Sequence, residues 1–580
     1  MDTKTTPKNK VLYDIVHGYI EIDKNTEMII NHPLFQRLKN IKQQASYHLF
    51  PSANHTRFEH SLGVMKLAED AFRHYADELE EAIVDDEKIS DCNNFCEHII
   101  KYMTKKKKMP NNFDLKNKQI RETYKHWLLF HLKYAALLHD IGHAPLSHIG
   151  EHFYVKKNII NEIQKIIDTE KNKEDKDKIF LEYYKLDDKR KINLNDFKIK
   201  DKNSCDWHGN THEWMSCYII LKEFVEPLKQ IYENKRKQDA KEFNVDIIEL
   251  PQLDVDFGFI IRIITGNIYM MPDGIRTCID IGNGIIQLIN GNTIDCDRLD
   301  YALRDNFMVG GIGAFVDTKR IFNSLTFDKE KFDIIFKKGA ISALKNYIDC
   351  RDNLYMWVCN HHLVVYTDFL YQESLEQLFK MNPSIKNDYF SCDSIINRMP
   401  TDNEIHCLLR EYWNKLKNCK RNDEDKYLFN LLDQLFQRNK KLTSLYKTRT
   451  GYIHLLDDMN RGGKNIKDVN DKFSKIIINK KSIDEINKTL QFDKGDFFII
   501  KKANKDFLKN EIKSIKIVDN EGNPTEKKIT SLDKYISYKE HEEITDVTIF
   551  IYYRSKSDVE KEKIKGKITK AIENYIDVMD

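Results

Sequence analysis

Three histidines and one aspartate crowd into the end of an apolar stretch, KYAALLHDIGHAPLSH, at residues 133–148. They are His139, Asp140, His143 and His148. Burying imidazole and carboxylate groups is costly unless something binds them. On a continuous helix, His139 and His143 would share one face, with Asp140 about 100° round the axis. The spacing therefore predicts a ligand-binding cluster.

Two neighbours on one helix cannot complete a metal site, so further ligands must come from distant segments. The segment TRFEHSLG supplies His60 at the start of an apolar helical pattern. The segment NGNTIDCDRLDYALRD supplies four aspartates: Asp295, Asp297, Asp300 and Asp305. Singly, His60 is typical of a core or capping histidine, Asp295 of a helix N-cap and Asp297 of a solvated carboxylate. Together, imidazoles and carboxylates favour magnesium or a first-row divalent metal over a thiolate zinc site.

Apolar periodicity predicts the elements that must position these residues. Residues 10–30 begin with an alternating pattern that predicts a short strand pair or hairpin. Pro33 is placed to open the following helix. Residues 61–83 carry apolar side chains at helical spacing, which predicts an amphipathic helix. Residues 128–138 are apolar nearly all round and predict a central helix.

The second half of the chain changes character beyond residue 400. Residues 257–380 follow a helical pattern. Strand-like runs then occur at 496–502, 512–520 and 546–554. We therefore predict a mainly α fold with a helical core, a short N-terminal β-hairpin and a C-terminal α+β lobe. The expected parts are an N-terminal segment and hairpin at 1–31, a helical domain at 32–400 with charged insertions near 84–126 and 156–205, and the C-terminal lobe at 401–580.

Bulk composition narrows the class of protein. The 580 residues carry a formal net charge of +2 although 32% of them are charged, which argues against a dedicated nucleic-acid coat. Apolar residues make up 41%, and the length predicts more than one lobe. Eleven cysteines without a C-x-x-C pair fit a reducing cytosol. Because neither an apolar signal segment nor a membrane-length apolar run is present, we expect a cytoplasmic protein.

In chain order, His60, His139-Asp140 and Asp297 give an H…HD…D pattern that resembles the signature of HD-domain metal-dependent phosphohydrolases. The flanking segments make the match more specific. HGYIEI, PLFQRLKNIKQ, FPSANHTRFEHSLGV, LLHDIGHAPLSH and IDCDRLDYALRD occur in the order found in the deoxynucleoside triphosphate (dNTP) triphosphohydrolases. The vertebrate sterile-alpha-motif-and-HD-domain branch and its bacterial relatives are most similar, although no sterile-alpha-motif domain precedes the match here.

This resemblance implies metal-dependent hydrolysis of dNTPs to a deoxynucleoside and inorganic triphosphate, in control of dNTP pools or in antiviral defence. The implied cofactor is a divalent metal, either Mg, Mn, Fe or Zn, with the ligands His60, His139, Asp140 and Asp297. The implied catalytic residues are His148, Glu151, His143 and His212. The implied substrate-binding residues are Gln43, Arg57, Arg298, Tyr301, Asp305, Arg351 and His361. In the family, the counterpart of Tyr301 leaves no room for a ribose 2′-hydroxyl, and that of Asp305 accepts from the 3′-hydroxyl.

The resemblance also implies regulation and assembly. Counterparts of allosteric nucleotide contacts are Lys10, Val11, Asn31, Lys39, Asp317 and Arg320. Asn31 stands where the vertebrate enzyme has a guanine-reading aspartate, and an amide cannot accept from both guanine donors. Activation by GTP is thus not expected to carry over, and the effector nucleotide stays open. We expect dNTP substrates and a homo-oligomer, either dimer or tetramer, with no membrane partner and no support for nucleic acid.

Two alternatives remain open at the level of sequence. The same metal site would suit a phosphodiesterase acting on another nucleotide or on nucleic-acid ends. Tyr301 and Asp305 argue against it, because the resemblance assigns both to a deoxyribose. The second alternative is a non-catalytic nucleotide-binding oligomer, and the intact His148–Glu151 pair argues against that reading.

Overall fold

The computed structural model describes residues 9–84, 118–172, 208–247, 250, 253–268, 279–291, 294–311, 315–327, 334–459, 466–478, 488–503, 513–518, 529–535, 547–555 and 558–578. Helices dominate this part of the chain, which confirms the mainly α prediction. The α-helices are α1 Lys24–Ile30, α2 Pro33–Gln36, α3 Arg57–Val84, α4 Lys118–Leu138, α5 His148–Glu151, α6 Lys156–Asn172, α7 Thr211–Ile219, α8 Val225–Phe243, α9 Phe257–Thr265, α10 Ile279–Ile289, α11 Cys296–Met308, α12 Thr318–Asn323, α13 Ile341–Asn353, α14 His362–Met381, α15 Pro383–Phe390, α16 Cys392–Asn397, α17 Asp402–Lys417, α18 Asp423–Phe436, α19 Arg449–Met459, α20 Ile466–Ile478 and α21 Asp558–Val578. The strands are β1 Lys10–Asp14, β2 Gly18–Ile22, β3 Leu325–Phe327, β4 Ile334–Lys337, β5 Thr443–Ser444, β6 Phe497–Ala503, β7 Lys516–Val518, β8 Thr530–Ser531 and β9 Val547–Tyr553.

The predicted N-terminal hairpin is confirmed. Strands β1 and β2 pair antiparallel, with Tyr13 opposite Tyr19. The chain reverses at Gly18, whose φ of 71° suits glycine. Asp23 then accepts from the amide of Thr26 and so caps α1.

The helices α3 and α4 form the centre of the main core. They pack on each other, while α11 packs on α3 and α9 on α4. The end of α4 is fully buried at Leu137 and Leu138, which confirms the predicted central helix. Both helices therefore bring their apolar faces together next to the segments that carry His60, His139 and Asp297.

Parts of the two expected insertions belong to the core. Residues 118–126 lie in α4, and residues 156–172 form α6. Ile159, Ile163 and Ile167 of α6 are buried at helical spacing. The high local charge hid that face in the sequence. The remaining insertion residues, 85–117 and 173–205, lie outside the described residues.

Two small sheets lie beyond the helical body. Strands β5, β9 and β6 form an antiparallel sheet in that order, and β3, β4, β7 and β8 form a second, mixed sheet. The runs at 496–502 and 546–554 are confirmed as β6 and β9, whereas the run at 512–520 yields only the short β7. Strand β7 pairs in parallel with β4, far away in sequence. The proposed boundary at residue 400 stays a prediction.

A second hydrophobic core covers the β5-β9-β6 sheet. Ile549 and Ile551 of β9, Ile568 of α21 and Phe473 of α20 are buried in it. Leu370 of α14 belongs to the same core, so a helix of the main body reaches into the C-terminal lobe. Among the described residues, no helix combines the length and apolarity that crossing a bilayer requires.

Candidate functional site

Three side chains from three distant helical regions converge at one point. His60 lies in the first turn of α3, His139 follows the last turn of α4, and Asp297 lies in the first turn of α11. Their facing ligand atoms all lie within 4.8 Å of one another. Ligands about 2.0–2.2 Å from a shared ion are separated by about 4.4 Å at most, so this set approaches the geometry of a metal site.

The fourth expected ligand, Asp140, borders the same point. Its Oδ2 lies 3.5 Å from His60 Nε2, and its Oδ1 lies 3.4 Å from His139 Nε2. Asp297 Oδ1 lies 2.9 Å from His60 Nε2 and 3.7 Å from His139 Nε2. Despite these short distances, both Nε2 atoms are buried and have no hydrogen-bond partner among the described residues. Orphaned imidazole nitrogens that face carboxylates fit a divalent cation.

Electrostatics at this point also favour a cation. Burial would lower the pKa of His60, but the Asp297 and Asp300 carboxylates, which face its two ring nitrogens, outweigh burial and raise it to about 10. Burial likewise opposes ionisation of Asp297, yet His139 and His60 hold the pKa of this carboxyl far below its ordinary value. The site thus concentrates negative charge that a proton or a metal ion neutralises.

The prediction that His139 and His143 share a helical face is wrong. Helix α4 ends at Leu138, and the chain continues in tight turns, with the His143 amide donating to the Asp140 carbonyl at 3.1 Å. Ser216 of α7 explains the break, since its hydroxyl donates to the His139 carbonyl at 2.5 Å and accepts from the Gly142 amide at 2.9 Å. A side chain at Gly142 would overlap the α7 backbone.

A second cluster of imidazoles surrounds Glu151 beside the first. His143 Nδ1 and His148 Nδ1 lie 2.7 and 3.1 Å from Glu151 Oε1, and His212 Nδ1 lies 3.0 Å from Oε2. Asp140 Oδ1 lies 3.1 Å from His143 Nε2 and so connects the two clusters. All four catalytic candidates therefore meet here. His148 is the exposed member, with 68% of its side chain accessible.

In the second cluster, burial and neighbouring charges shift the pKa values of the two buried histidines in opposite directions. Burial lowers the pKa of His143 to about 4, and the Arg57 charge acts in the same direction. Burial also disfavours the charged form of His212, but Glu151 outweighs it and raises the pKa to about 9. Burial opposes ionisation of Glu151 as well, yet His212, His148 and His143 hold its pKa well below the usual range. At neutral pH the cluster thus holds a Glu151 carboxylate against a charged His212.

A strained turn aims His148. Leu146 and Ser147 adopt φ angles of 64° and 50°, unusual for residues with side chains. Asp402 of α17 stabilises the turn, because its carboxylate accepts from the Leu146 amide at 2.6 Å and from the Lys42 amide at 2.8 Å. The Ser147 hydroxyl donates to the Lys42 carbonyl at 2.6 Å. The turn is thus tied to two segments that are remote in sequence.

Tyr301 and Arg351, both assigned to substrate, meet directly. Arg351 Nε donates to the Tyr301 hydroxyl at 3.3 Å, and the guanidinium lies over the Tyr355 ring. The Asp305 carboxylate is held by His55, whose Nε2 lies 2.6 Å from Oδ1, and by the side-chain amide of Gln44. Sequence reasoning assigned the sugar contact to Asp305 but did not identify these two neighbours.

Three of the other substrate candidates make side-chain hydrogen bonds to neighbouring protein groups. Arg57 donates to Asp140 Oδ2 at 2.8 Å and to the Gln43 carbonyl at 3.1 Å. Arg298 donates to the Gly291 carbonyl at 2.6 Å and pairs with Asp295, which caps α11 as the sequence suggested. His361 Nδ1 accepts from the Leu363 amide and caps α14. Gln43 Oε1 is buried and has no hydrogen-bond partner among the described residues.

The proposed effector residues make separate sets of contacts, except that Lys10 and Asn31 share one partner. Lys10 pairs with Glu27, and Asn31 donates to the same carboxylate at 3.4 Å. Val11 is 52% exposed on β1. Lys39 Nζ lies over the Phe58 ring, 4.6 Å from its centre. Asp317 caps α12 and pairs with Arg320 at 3.6 Å.

Comparisons with known proteins relate the chain to HD-domain proteins. No family model matches the sequence. The chain is 33% identical over 141 residues to the deoxynucleoside triphosphate triphosphohydrolase SAMHD1 of Bos taurus, which covers 24% of this chain and 17% of that protein. It is 23% identical over 479 residues to a putative HD domain-containing protein of Acanthamoeba polyphaga mimivirus, covering 80% of this chain and 77% of that one. This partial homology supports an HD-type hydrolase.

The matched part spans well under two thirds of the bovine protein. Among solved structures, the crystal structure of a hypothetical protein from Aquifex aeolicus superposes with a TM-score of 0.51 at 18% identity. That superposition covers 97% of this chain and 100% of the Aquifex chain. The likeness shows a shared fold.

Proposed function

We propose that this chain is a metal-dependent triphosphohydrolase that converts dNTPs to a deoxynucleoside and inorganic triphosphate. The observation that supports it most is the convergence of His60, His139 and Asp297, with Asp140 joining them to the Glu151 cluster. A divalent cation bound there supplies Lewis acidity to a phosphoryl oxygen. The partial homology to a dNTP triphosphohydrolase supports the same reaction class.

Two histidines beside the centre, the exposed His148 and the buried His212, are the protein groups that serve the reaction. His148 is accessible and carries Glu151 at its Nδ1, which leaves Nε2 to give a proton to the departing oxygen or to take one from water. His212 is charged near neutral pH, so it offers a hydrogen-bond donor to phosphate.

The sugar side of the proposal rests on Tyr301 and Asp305. Tyr301 is fixed by Arg351, and a fixed phenol ring excludes a 2′-hydroxyl sterically. Asp305 is oriented by His55 and Gln44, so a sugar 3′-hydroxyl that donates to it must share or replace the Gln44 amide. We therefore propose dNTPs, rather than ribonucleotides, as the substrate class.

The test incubates the purified chain with each dNTP and with ATP, in the presence of Mg²⁺, Mn²⁺, Fe²⁺ or Zn²⁺, with and without other nucleotides as effectors. Products are separated by anion exchange. We expect inorganic triphosphate and deoxynucleoside from at least one dNTP and none from ATP. The Asp297→Ala variant is the inactive control. His152→Ala, which changes an exposed neighbour of the cluster, is the active control.

Other product patterns would replace the proposal. A nucleoside monophosphate with pyrophosphate would indicate phosphodiesterase-type chemistry at the same centre. Tight nucleotide binding with no product under any metal would indicate a nucleotide-binding oligomer. Equal turnover of ATP would refute the role of Tyr301 in sugar selection.

A further inference from the structure

A buried carboxylate, Asp300, lies directly behind His60. It follows Asp297 by one helical turn on α11 and is fully buried. Its Oδ2 lies 2.7 Å from His60 Nδ1, and Arg304 donates to both of its oxygens at 2.9 and 3.0 Å. A side chain in place of Gly63 would overlap the Asp300 carboxylate, so the glycine makes this close packing between α3 and α11 possible.

This contact fixes the orientation of His60. Because Nδ1 donates to Asp300, the Nε2 lone pair of a neutral ring points towards Asp140 and Asp297. A carboxylate on the far nitrogen of a ligating imidazole sets its tautomer and raises its basicity as a ligand. His139 is held differently, since its Nδ1 bonds to the carbonyl of Ala136, in the last turn of the preceding helix α4, at 2.8 Å. Among the described residues, His60 Nδ1 is thus held by a residue remote in sequence, whereas His139 Nδ1 is held by a residue three positions before it.

Asp300 is in turn contacted by the turn of the N-terminal hairpin. His17, between β1 and β2, places Nε2 2.5 Å from Asp300 Oδ1, and only 8% of its side chain is exposed. Asp14 accepts from the amides of Val16 and His17 and, on its other oxygen, from Arg304 at 2.7 Å. The turn thus reaches Asp300 along two routes, directly through His17 and indirectly through Asp14 and Arg304.

We propose that the hairpin turn is part of the metal centre: His17 is a positioning residue that, through Asp300, orients His60 and sets the affinity for the ion. The inference rests on the ligand set of the proposed function. It needs no substrate, because its prediction concerns only how tightly the centre holds a metal. The hairpin contributes no ligand, so its effect is on affinity and dissociation rate.

The experiment measures the affinity of the full chain for Mn²⁺ and Zn²⁺ by competition with a chromophoric chelator. Loss of a group hydrogen-bonded to a ligating side chain costs about 10- to 100-fold in metal affinity. His17 acts through Asp300, one contact further out, so we expect a loss near the lower end of that range, about 10-fold, for His17→Leu. His17→Gln should recover part of it, because its amide nitrogen can donate to Asp300. The matched control is Ile15→Ala, which changes a side chain in the same turn that is 56% exposed.

The thermal unfolding of each metal-free variant is recorded alongside. If His17→Leu does not fold, Asp300→Asn tests the same link, since the amide keeps the shape but turns a donor towards either His60 or Arg304. Wild-type affinity in the folded His17→Leu variant, or in Asp300→Asn, would overturn the inference. A loss that His17→Gln leaves unrepaired would also overturn it. Failure of the wild-type chain to bind metal would instead overturn the ligand set of the proposed function.

Discussion

At the scale of single residues, the site depends on which atom of each side chain faces the shared point. His60 and His139 both present Nε2, because their Nδ1 atoms are occupied by Asp300 and by a backbone carbonyl. Asp297 meets both nitrogens with one oxygen, Oδ1. The two imidazole nitrogens and the one carboxylate oxygen therefore face a single point where an ion could be coordinated.

Asp297→Ala should remove the metal and leave the fold intact. The variant loses a charged ligand, while α11 keeps its N-cap at Asp295, so the helix has no reason to unravel. Metal content by elemental analysis and helix content by circular dichroism check this. Unchanged metal content in the folded variant would show that Asp297 is not a ligand.

His148→Ala should keep the metal but lose turnover by about 10²- to 10⁴-fold, the usual contribution of a general acid or base. The side chain is exposed and lies outside the His60–His139–Asp297 group, so folding and metal uptake should not change. Single-turnover rates and metal content are the measurements. His152→Ala is the matched control, and a wild-type rate in His148→Ala would exclude the residue from the chemistry.

At the scale of elements, the turn between α4 and α5 decides where His148 points. Two successive residues with positive φ are stable there because Asp402 and Arg57 hold them. Strained backbone of this kind costs about 1–3 kcal/mol per residue. The strain is offset by hydrogen bonds from α17 and from α3, elements far apart in the sequence.

Asp402→Ala should lower turnover and stability without removing metal. Two amides, of Leu146 and Lys42, would lose their acceptor. A buried unsatisfied donor costs about 1–3 kcal/mol, so the free energy of unfolding should fall by a few kcal/mol. Urea denaturation and a rate assay at saturating metal provide the readout. Full activity in this variant would mean that the turn holds its shape without α17.

His131 joins α4 to α9 as a neutral ring. Its Nδ1 donates to the Trp127 carbonyl and its Nε2 accepts from the Asp256 amide, both at 2.7 Å. Burial lowers the pKa of His131 to about 3. The folded state therefore binds this proton less readily than the unfolded chain does, so stability is full above pH 6.5 and is lost as pH falls towards 3.

Between pH 7 and pH 5 this residue should reduce the free energy of unfolding by about 2 kcal/mol. The measurement is urea denaturation at both pH values. In His131→Gln the amide can make both hydrogen bonds but does not titrate, so its stability should depend less on pH. Identical pH slopes for the two chains would contradict the assignment.

At the scale of the whole molecule, segments beyond residue 400 pack into the main core. Helices α17 and α18 contribute Ile405, Leu409, Leu428 and Leu432 to the main core. Arg37 donates to the Pro400 carbonyl at 2.8 Å. Strands β7 and β8 extend a sheet begun by β3 and β4. The helical body and the C-terminal segments thus share packing and hydrogen bonds.

A fragment ending at residue 400 should therefore show no cooperative unfolding transition. A fragment ending at residue 436 should show one. Each buried leucine or isoleucine contributes about 1.5–3 kcal/mol. The loss of those on α17 and α18 approaches the net stability of a domain, about 5–15 kcal/mol. Calorimetry of both fragments is the test. A sharp transition in the shorter fragment would favour a domain boundary at 400.

The sequence by itself determined the long elements and supplied the candidate site residues. Apolar periodicity predicted helices α3 and α4, the hairpin, and strands β6 and β9. It did so because side-chain burial repeats with the period of the local backbone. The H…HD…D order singled out His60, His139, Asp140 and Asp297 before any contact was known. The same approach missed the buried face of α6, because the many charged residues around it obscured the helical spacing of its isoleucines.

Only the tertiary structure decided how those residues meet. The end of α4 at Leu138 depends on Ser216, and the strained turn before His148 depends on Asp402. Likewise His17 contacts Asp300, which lies 283 residues away in the sequence. Hydrogen bonds between segments hundreds of residues apart leave no periodic trace in a sequence, because either partner alone is typical of a solvated polar residue. Their energy, and the geometry they impose, exist only once the chain has folded.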